Sequence, residues 1–408
     1  MAYIKHGKIY YNKRKIPGLI SIVLILLLET CFMSIPVLSS IFFKYNNYHD
    51  KRILLLVCLV LTLITCKINM KKTNIDILVV FFLLAGIFIA VFSAVTISSV
   101  GTIIDRYYYY AIVLLYYPLG KLFDSTDDLY DSFLRSMSLI GIVYAAYFIV
   151  AKLVYDTTGA LIINQSVQYL QVRSGLRLAR PCDFLCFSFL STLCLIVKEK
   201  KKGLYGGLLI ICVCIYWVGQ TRLYELIIAA LFIVYLLLYT KANLKIVAIV
   251  TVIASWNSIK TFCNNFIASF SAKDTLSSTI ARTQGYEIVK NDIFKHYIWG
   301  AGFDGKFQFS LAGWNYALSD LGIVGFFSVW GLLGIVFVAM IVLRFVLNIK
   351  YIVKNQLVNR CPETIFLAIW FAVSCVSVSF SDVQRILYLP LMLLMLRQNS
   401  LIWKGNRA

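Results

Sequence analysis

The chain has 408 residues, 60% of them hydrophobic and 14% charged. A soluble domain carries about a quarter charged residues, so that class is excluded and an integral membrane protein is expected. The formal charge of +20 would suit nucleic acid, yet Lys and Arg are spread over loops on both expected membrane faces, which topology explains without a nucleic-acid partner.

The basic start, MAYIKHGKIYYNKRKIPG, leads into an apolar run from Leu19 to Phe43. That run is too long for a signal-peptide core and has no clear small-residue cleavage site, so it is expected to remain as a first membrane helix. A bilayer core asks for about 20 apolar residues, or fewer with snorkelling flanks. Runs that meet this follow at Ile53 to Cys66, Ile77 to Thr96, Tyr107 to Leu119, Met137 to Val154, Phe184 to Val197 and Leu204 to Val218. Further along come Leu223 to Tyr239, Ile246 to Trp256, Leu321 to Leu343, Thr364 to Phe380 and Ile386 to Leu396. The expected fold class is all-α: a polytopic transmembrane helix bundle of twelve helices. No repeat, low-complexity segment or Pro/Gly linker divides it, so residues 1–408 read as a single membrane domain.

Placing the N-terminus inside puts most of the basic residues on the inner side, among them Lys71, Lys72, Lys198, Lys200, Lys201, Arg344, Lys350 and Arg397. Both termini are therefore expected to be cytoplasmic. Two long, partly helical loops, 155–183 and 257–320, fall on the outer face. The inner segment KLFDSTDDLYDSF, with Asp124, Asp127, Asp128 and Asp131, reads as a solvated loop. The eleven cysteines lie mostly inside apolar runs without metal-ligand spacing, and read as buried thiols. Cys182 and Cys263 fall in the outer loops and could meet as a disulfide. No metal or other cofactor is expected.

The loop 257–320 is the one long polar interval, and long loops between packed elements tend to carry function. Arginine on the outer face runs against the topological bias. Arg173, Arg177 and Arg180 lie in QYLQVRSGLRLARPCDF, with Gly175 and Pro181 constraining the backbone. Arg222, in GQTRLYEL, opens a helix, where the positive end of the macrodipole disfavours a cation. Either Glu225 three residues on or an anionic ligand could offset it. Arg282 and Tyr286 lie in a stretch whose Ile280, Ile288, Val289 and Ile293 have roughly helical spacing, as in a helix on the membrane surface. Gly300, Gly302 and Gly305 in WGAGFDGKF permit tight turns, without the strand and Lys-Ser/Thr of a phosphate loop. Asn315, Ser319 and Asp320 precede a helix with Gly322, Gly325, Gly331 and Gly334, where Ser319 or Asp320 could cap and the glycines permit close packing. Glu29, in LLLETCF, is the clearest ionisable group inside a span.

In order, VRSGLRLARP, GQTRLYEL, ARTQGYEIV, GAGF and SDLGIVG resemble the motifs of the O-antigen polymerase and O-antigen ligase superfamily. The resemblance implies a multi-pass enzyme of the bacterial cytoplasmic membrane that acts, on its outer side, on glycans carried by undecaprenyl diphosphate. Ligases of the family carry a His-Asn motif in the long loop, whereas SLAGWNYALSDLG has no His, which points to a polymerase of the Wzy type. The implied partners are donor and acceptor glycans on that lipid, the bilayer, a chain-length regulator and a flippase. In this reading Arg173, Arg222 and Arg282, with Arg180 as a fourth, hold the diphosphate, and Asp320 or another carboxylate takes the proton. Arg177, Glu225, Tyr286, Gly300, Gly302 and Asn315 are expected to border the substrate. Arginine suits the task because its planar, permanently charged fork donates paired hydrogen bonds to phosphate oxygens. An O-antigen ligase, a flippase or exporter of lipid-linked oligosaccharides, and a scaffold of the assembly machinery stand as alternatives.

Overall fold

A computed structural model describes residues 2–5, 8–11, 76–96, 108–124, 127–160, 162, 171–172, 176–177, 182–243, 245–246, 282–295, 298–302, 309–311, 314–316, 321–376 and 385–403. The expected helices Leu19 to Phe43 and Ile53 to Cys66, and all but the first residue of Ile246 to Trp256, lie outside these residues, as does Glu29.

The described chain is helical apart from three antiparallel two-stranded hairpins. These are β1 (Ala2–Lys5) with β2 (Lys8–Tyr11), β3 (Gln171–Val172) with β4 (Leu176–Arg177), and β5 (Phe309–Leu311) with β6 (Trp314–Tyr316). The helices are α1 (Ile77–Thr96), α2 (Tyr116–Asp124, preceded by a 3-10 segment Tyr108–Leu115), α3 (Asp127–Thr158), α4 (Cys182–Glu199) and α5 (Leu204–Val213). Then come α6 (Arg222–Tyr239), α7 (282–288), α8 (Ile323–Lys354), α9 (Pro362–Ser374) and α10 (Tyr388–Trp403). Ile77–Val95, Tyr130–Thr158, Arg222–Tyr239 and Ile323–Lys354 are each long and apolar enough to cross a membrane. Leu84, Val91, Val95, Leu237 and Val346 stay exposed on their outward faces, an apolar cover that suits hydrocarbon better than water.

Ion pairs and hydrogen bonds between helix termini give the described bundle two ends. At one end Arg135 binds Glu199 (2.7 Å), Lys198 pairs with Glu363, and Arg344 binds Asp76 (2.6 Å). The opposite end holds the start of α6 and the start of α8. The first is called the Glu363 end and the second the Arg222 end.

Small residues set the closest helix approach. In α3, Gly141 faces Ser188 of α4 so closely that a Cβ would strike it. Three residues earlier the hydroxyls of Ser138 and Thr192 share a hydrogen bond of 2.7 Å. Backbones drawn together by small side chains and tied by hydroxyls are the usual basis of helix association in lipid. Helix α6 packs against α4 and α9, and α1 packs against α8. The α1/α8 contact is aromatic, with Phe82 lying 4.7 Å from Trp330 and 4.9 Å from Phe337, ring centre to ring centre.

One expectation is corrected here. The segment read as a solvated acidic loop is helical from Asp127 onward, making α3 longer than the expected Met137 to Val154. Tyr130, Phe133, Leu134 and Met137 are buried, a three-and-four spacing that gives the turn an apolar face. Asp131 stands 3.6 Å from Lys198 of α4.

Helix α8 is broken at Gly331, whose φ of 53° and ψ of −139° are not helical. The break leaves backbone groups unsatisfied, a costly state away from water. The turn 298–302 fills the gap. Ala301 N–H donates to Ser328 O (2.7 Å), Gly302 N–H to Val329 O (3.1 Å), and Leu332 N–H to Ile298 O (3.0 Å). Gly331 and Gly300 lie back to back, both at positive φ, and a Cβ on either would collide with the other's backbone. Gly331→Ala and Gly300→Ala are each expected to lose most of the folded protein from the membrane, measured as monodisperse yield in detergent. Gly206→Ala, where a Cβ meets open space, is expected to match the parent.

Candidate functional site at the Arg222 end

Arg222 is positioned by an irregular backbone. After α5 the chain widens into a π-helical turn, Cys214–Gly219, and Gln220 takes a left-handed conformation (φ 43°, ψ 40°), its N–H donating to Ile215 O at 2.9 Å. Thr221 is extended, its hydroxyl bonded to Gly219 O (3.0 Å). Helix α6 then begins at Arg222, with no side-chain cap from Thr221. π-turns and left-handed non-glycine residues are uncommon and concentrate at functional sites. Arg222 is half-buried in the first turn, at the positive end of the helix macrodipole, where an anion is stabilised. Glu225 follows on the same turn, its backbone carbonyl accepting the Tyr216 hydroxyl at 3.0 Å.

Two cations that the sequence reading passed over stand at this end. Arg385, just before α10, is 4% exposed. Its Nη2 donates to the Tyr224 hydroxyl at 2.8 Å and its guanidinium lies 5.5 Å from that ring's centre. Tyr224 is two residues beyond Arg222, so α10 and the first turn of α6 meet through this contact. Lys152, near the end of α3, is also 4% exposed. Its ammonium binds both carboxylate oxygens of Asp156 at 2.9 Å and sits 5.5 Å above the Trp217 ring in the π-turn. The signal for Arg385 was the one applied to the long loops, an arginine at the expected outer end of a span. For Lys152 it was a charge inside an otherwise apolar run.

The start of α8 closes the same end. Leu321 is buried, and Ile323 N–H donates to Cys375 O at the end of α9 (2.8 Å). Leu321 also joins Val289, Ile293 and Ala301 in a small apolar cluster, which ties the π-turn Val289–Ile293 and the turn 298–302 to α8. The helical spacing expected for Ile288, Val289 and Ile293 is thus realised, with Arg282 half-buried in the first turn of α7 and Tyr286 exposed. Gly300 and Gly302 serve the docking described above; a Cβ on Gly302 would strike the Ser93 hydroxyl of α1.

Arg177 lies in β4 opposite Gln171, and Asn315 in β6 opposite Ser310. Arg173, Arg180 and Asp320 lie outside the described residues. Among the described residues no group of three or more His, Cys, Asp or Glu is placed to hold a metal ion. The described part of this end thus brings the first turn of α6, the buried Arg385 against Tyr224, and the start of α8 beside the end of α9 to one end of the bundle. The chain matches no protein-family model and no curated protein.

Proposed function

We propose that this chain is a membrane glycosyltransferase of the Wzy type, which joins oligosaccharide repeat units carried on undecaprenyl diphosphate into a longer polysaccharide. The observation that carries the reading is the meeting of the Arg222 turn of α6, the buried Arg385 and the start of α8 at one end of an apolar bundle. The order of the motifs in the sequence supports it further.

In the proposed reaction a hydroxyl oxygen of the acceptor sugar attacks the anomeric carbon of the donor. The new C–O bond forms as the bond from that carbon to the diphosphate breaks, and its electron pair leaves with the diphosphate. Arg222 and Arg282, with Arg173 and Arg180 from the first loop, neutralise the charge that grows on the leaving group. Asp320 takes the hydroxyl proton. Because the lipid anchors both substrates, the mouth must lie at the membrane surface. That α6 is long and apolar enough to cross a membrane, with Arg222 in its first turn, supports this placement.

The deciding experiment is the fate of the repeat unit in cells from which the protein is removed. Single, unpolymerised repeats displayed on the outer side are the expected result. Lipid-linked repeats trapped on the inner side would instead identify an exporter and overturn the reading.

A further inference from the structure

We infer that a recess at the Glu363 end, between the first turn of α1 and the second half of α8, holds the phosphate of a membrane phospholipid. The site is independent of the proposed reaction and lies at the other end of the bundle. Its floor is polar and built. The Asp76 carboxylate, just ahead of α1, accepts from Leu78 N–H (3.0 Å), the Tyr116 hydroxyl (2.8 Å) and Arg344 Nη1 (2.6 Å). These contacts fix the Arg344 fork, which has further N–H donors to give.

One turn along α8 stands Asn348, 8% exposed, whose side-chain nitrogen has no hydrogen-bond partner among the described residues. A buried donor left unsatisfied is costly, so an acceptor belongs in front of it. Asn348 and Arg344 line the same recess, of about 450 Å³. Its wall is apolar and outward-facing: Ile77 is 70% exposed, Leu343 58% and Leu347 56%.

An occupant must offer acceptor oxygens to Arg344 and Asn348 and hydrocarbon to Ile77, Leu343 and Leu347. Water meets the first demand and fails the second. A phospholipid meets both, and it reaches the site sideways from the bilayer, with its phosphate at the depth where a span begins. Basic pockets between membrane helices are known to take lipid head groups in this manner.

The test is lipid retention by the full-length protein, purified in mild detergent and examined by native mass spectrometry. The parent is expected to keep one phospholipid through delipidation and to regain it on addition of phosphatidylglycerol. A monoacylglycerol, which lacks the phosphate, is not expected to replace it. Asn348→Leu is expected to lower retention about tenfold, the factor set by one lost hydrogen bond to a charged group. Arg344→Gln is expected to do at least as much. Because Arg344 also binds Asp76, its loss could disturb the fold, so Asn348→Leu, outside that pair, decides. Lys350→Gln with Lys354→Gln, farther along α8, is expected to leave retention unchanged. A parent that retains no phospholipid, an Asn348→Leu variant that retains as much as the parent, or equal binding of the monoacylglycerol would each overturn the assignment.

Discussion

Arg222→Ala is expected to abolish long polymer in cells while the variant still inserts and accumulates normally in the membrane. A donor aimed at charge that develops in the transition state is worth roughly 3 to 4 kcal/mol, or about 10²- to 10³-fold in rate. A chain grown by repeated transfers turns such a loss into a collapse of length. Arg222→Lys keeps the charge and loses the fork, so an intermediate chain length is expected. Glu225→Gln separates this role from a local ion pair. If Arg222 served only to pair with Glu225, the two variants would behave alike; as a phosphate ligand, Arg222 is the one whose loss stops polymerisation. Long chains of normal distribution from a correctly inserted Arg222→Ala would end the proposal that this mouth grips the diphosphate. Arg385 belongs in the same series. Its guanidinium contacts Tyr224, so Tyr224→Phe, which removes the hydroxyl and keeps the ring, reports how far the placement of Arg385 depends on that bond.

The parts of this architecture that could be read from the residues are those written in uniform hydrophobicity. The expected Ile77 to Thr96 coincides with α1, and Leu223 to Tyr239 begins one residue inside α6, because polar residues bracket both runs sharply. What could not be read lies inside such runs. The π-turn Cys214–Gly219 carries no polar residue except Tyr216 and Trp217, whose amphipathic rings also belong in ordinary spans. The break at Gly331 falls among glycines that close helix packing would equally well explain, and only its partner turn at 298–302 distinguishes the two accounts. Lys152 disappeared in an apolar average, and it is tolerated there because Asp156, one turn on, binds it. The acidic start of α3 was hidden for the opposite reason. Four aspartates dominate its composition, while the buried face formed by Tyr130, Phe133 and Leu134 depends on spacing. At the candidate site the sequence singled out Arg222, where a helix start and a cation conflict. Arg385 also stands at the expected outer end of a span, but it follows a short connection and not one of the long polar loops.

The largest effect on stability is expected at the Glu363 end, from Lys198→Met. Glu363 is fully buried and pairs with Lys198, and its carboxylate has no hydrogen-bond donor besides that ammonium among the described residues. The pair is well placed for both helices. Glu363 follows Pro362 in the first turn of α9, and Lys198 lies in the last turn of α4, so each charge faces the macrodipole end that favours it. Lys198 also stands 3.6 Å from Asp131 and 5.3 Å from the Tyr130 ring centre; its loss therefore removes a cation from two acids at once. Removing one partner of a buried pair costs about 3 to 5 kcal/mol, most of it the penalty of an uncompensated buried charge. That penalty disappears when both charges go. The double variant Lys198→Met with Glu363→Leu is accordingly expected to recover most of the loss, leaving a coupling well above the few tenths of a kcal/mol of independent sites. The measurement is the half-life of the monodisperse species in detergent at raised temperature, since unfolding of such a protein is governed by rate. Equal half-lives for Lys198→Met and the parent would mean that water reaches Glu363 and carries its charge, whereas a double variant as short-lived as Lys198→Met would mean that the lysine stem, which reaches from α4 to α3 and α9, contributes more than its charge.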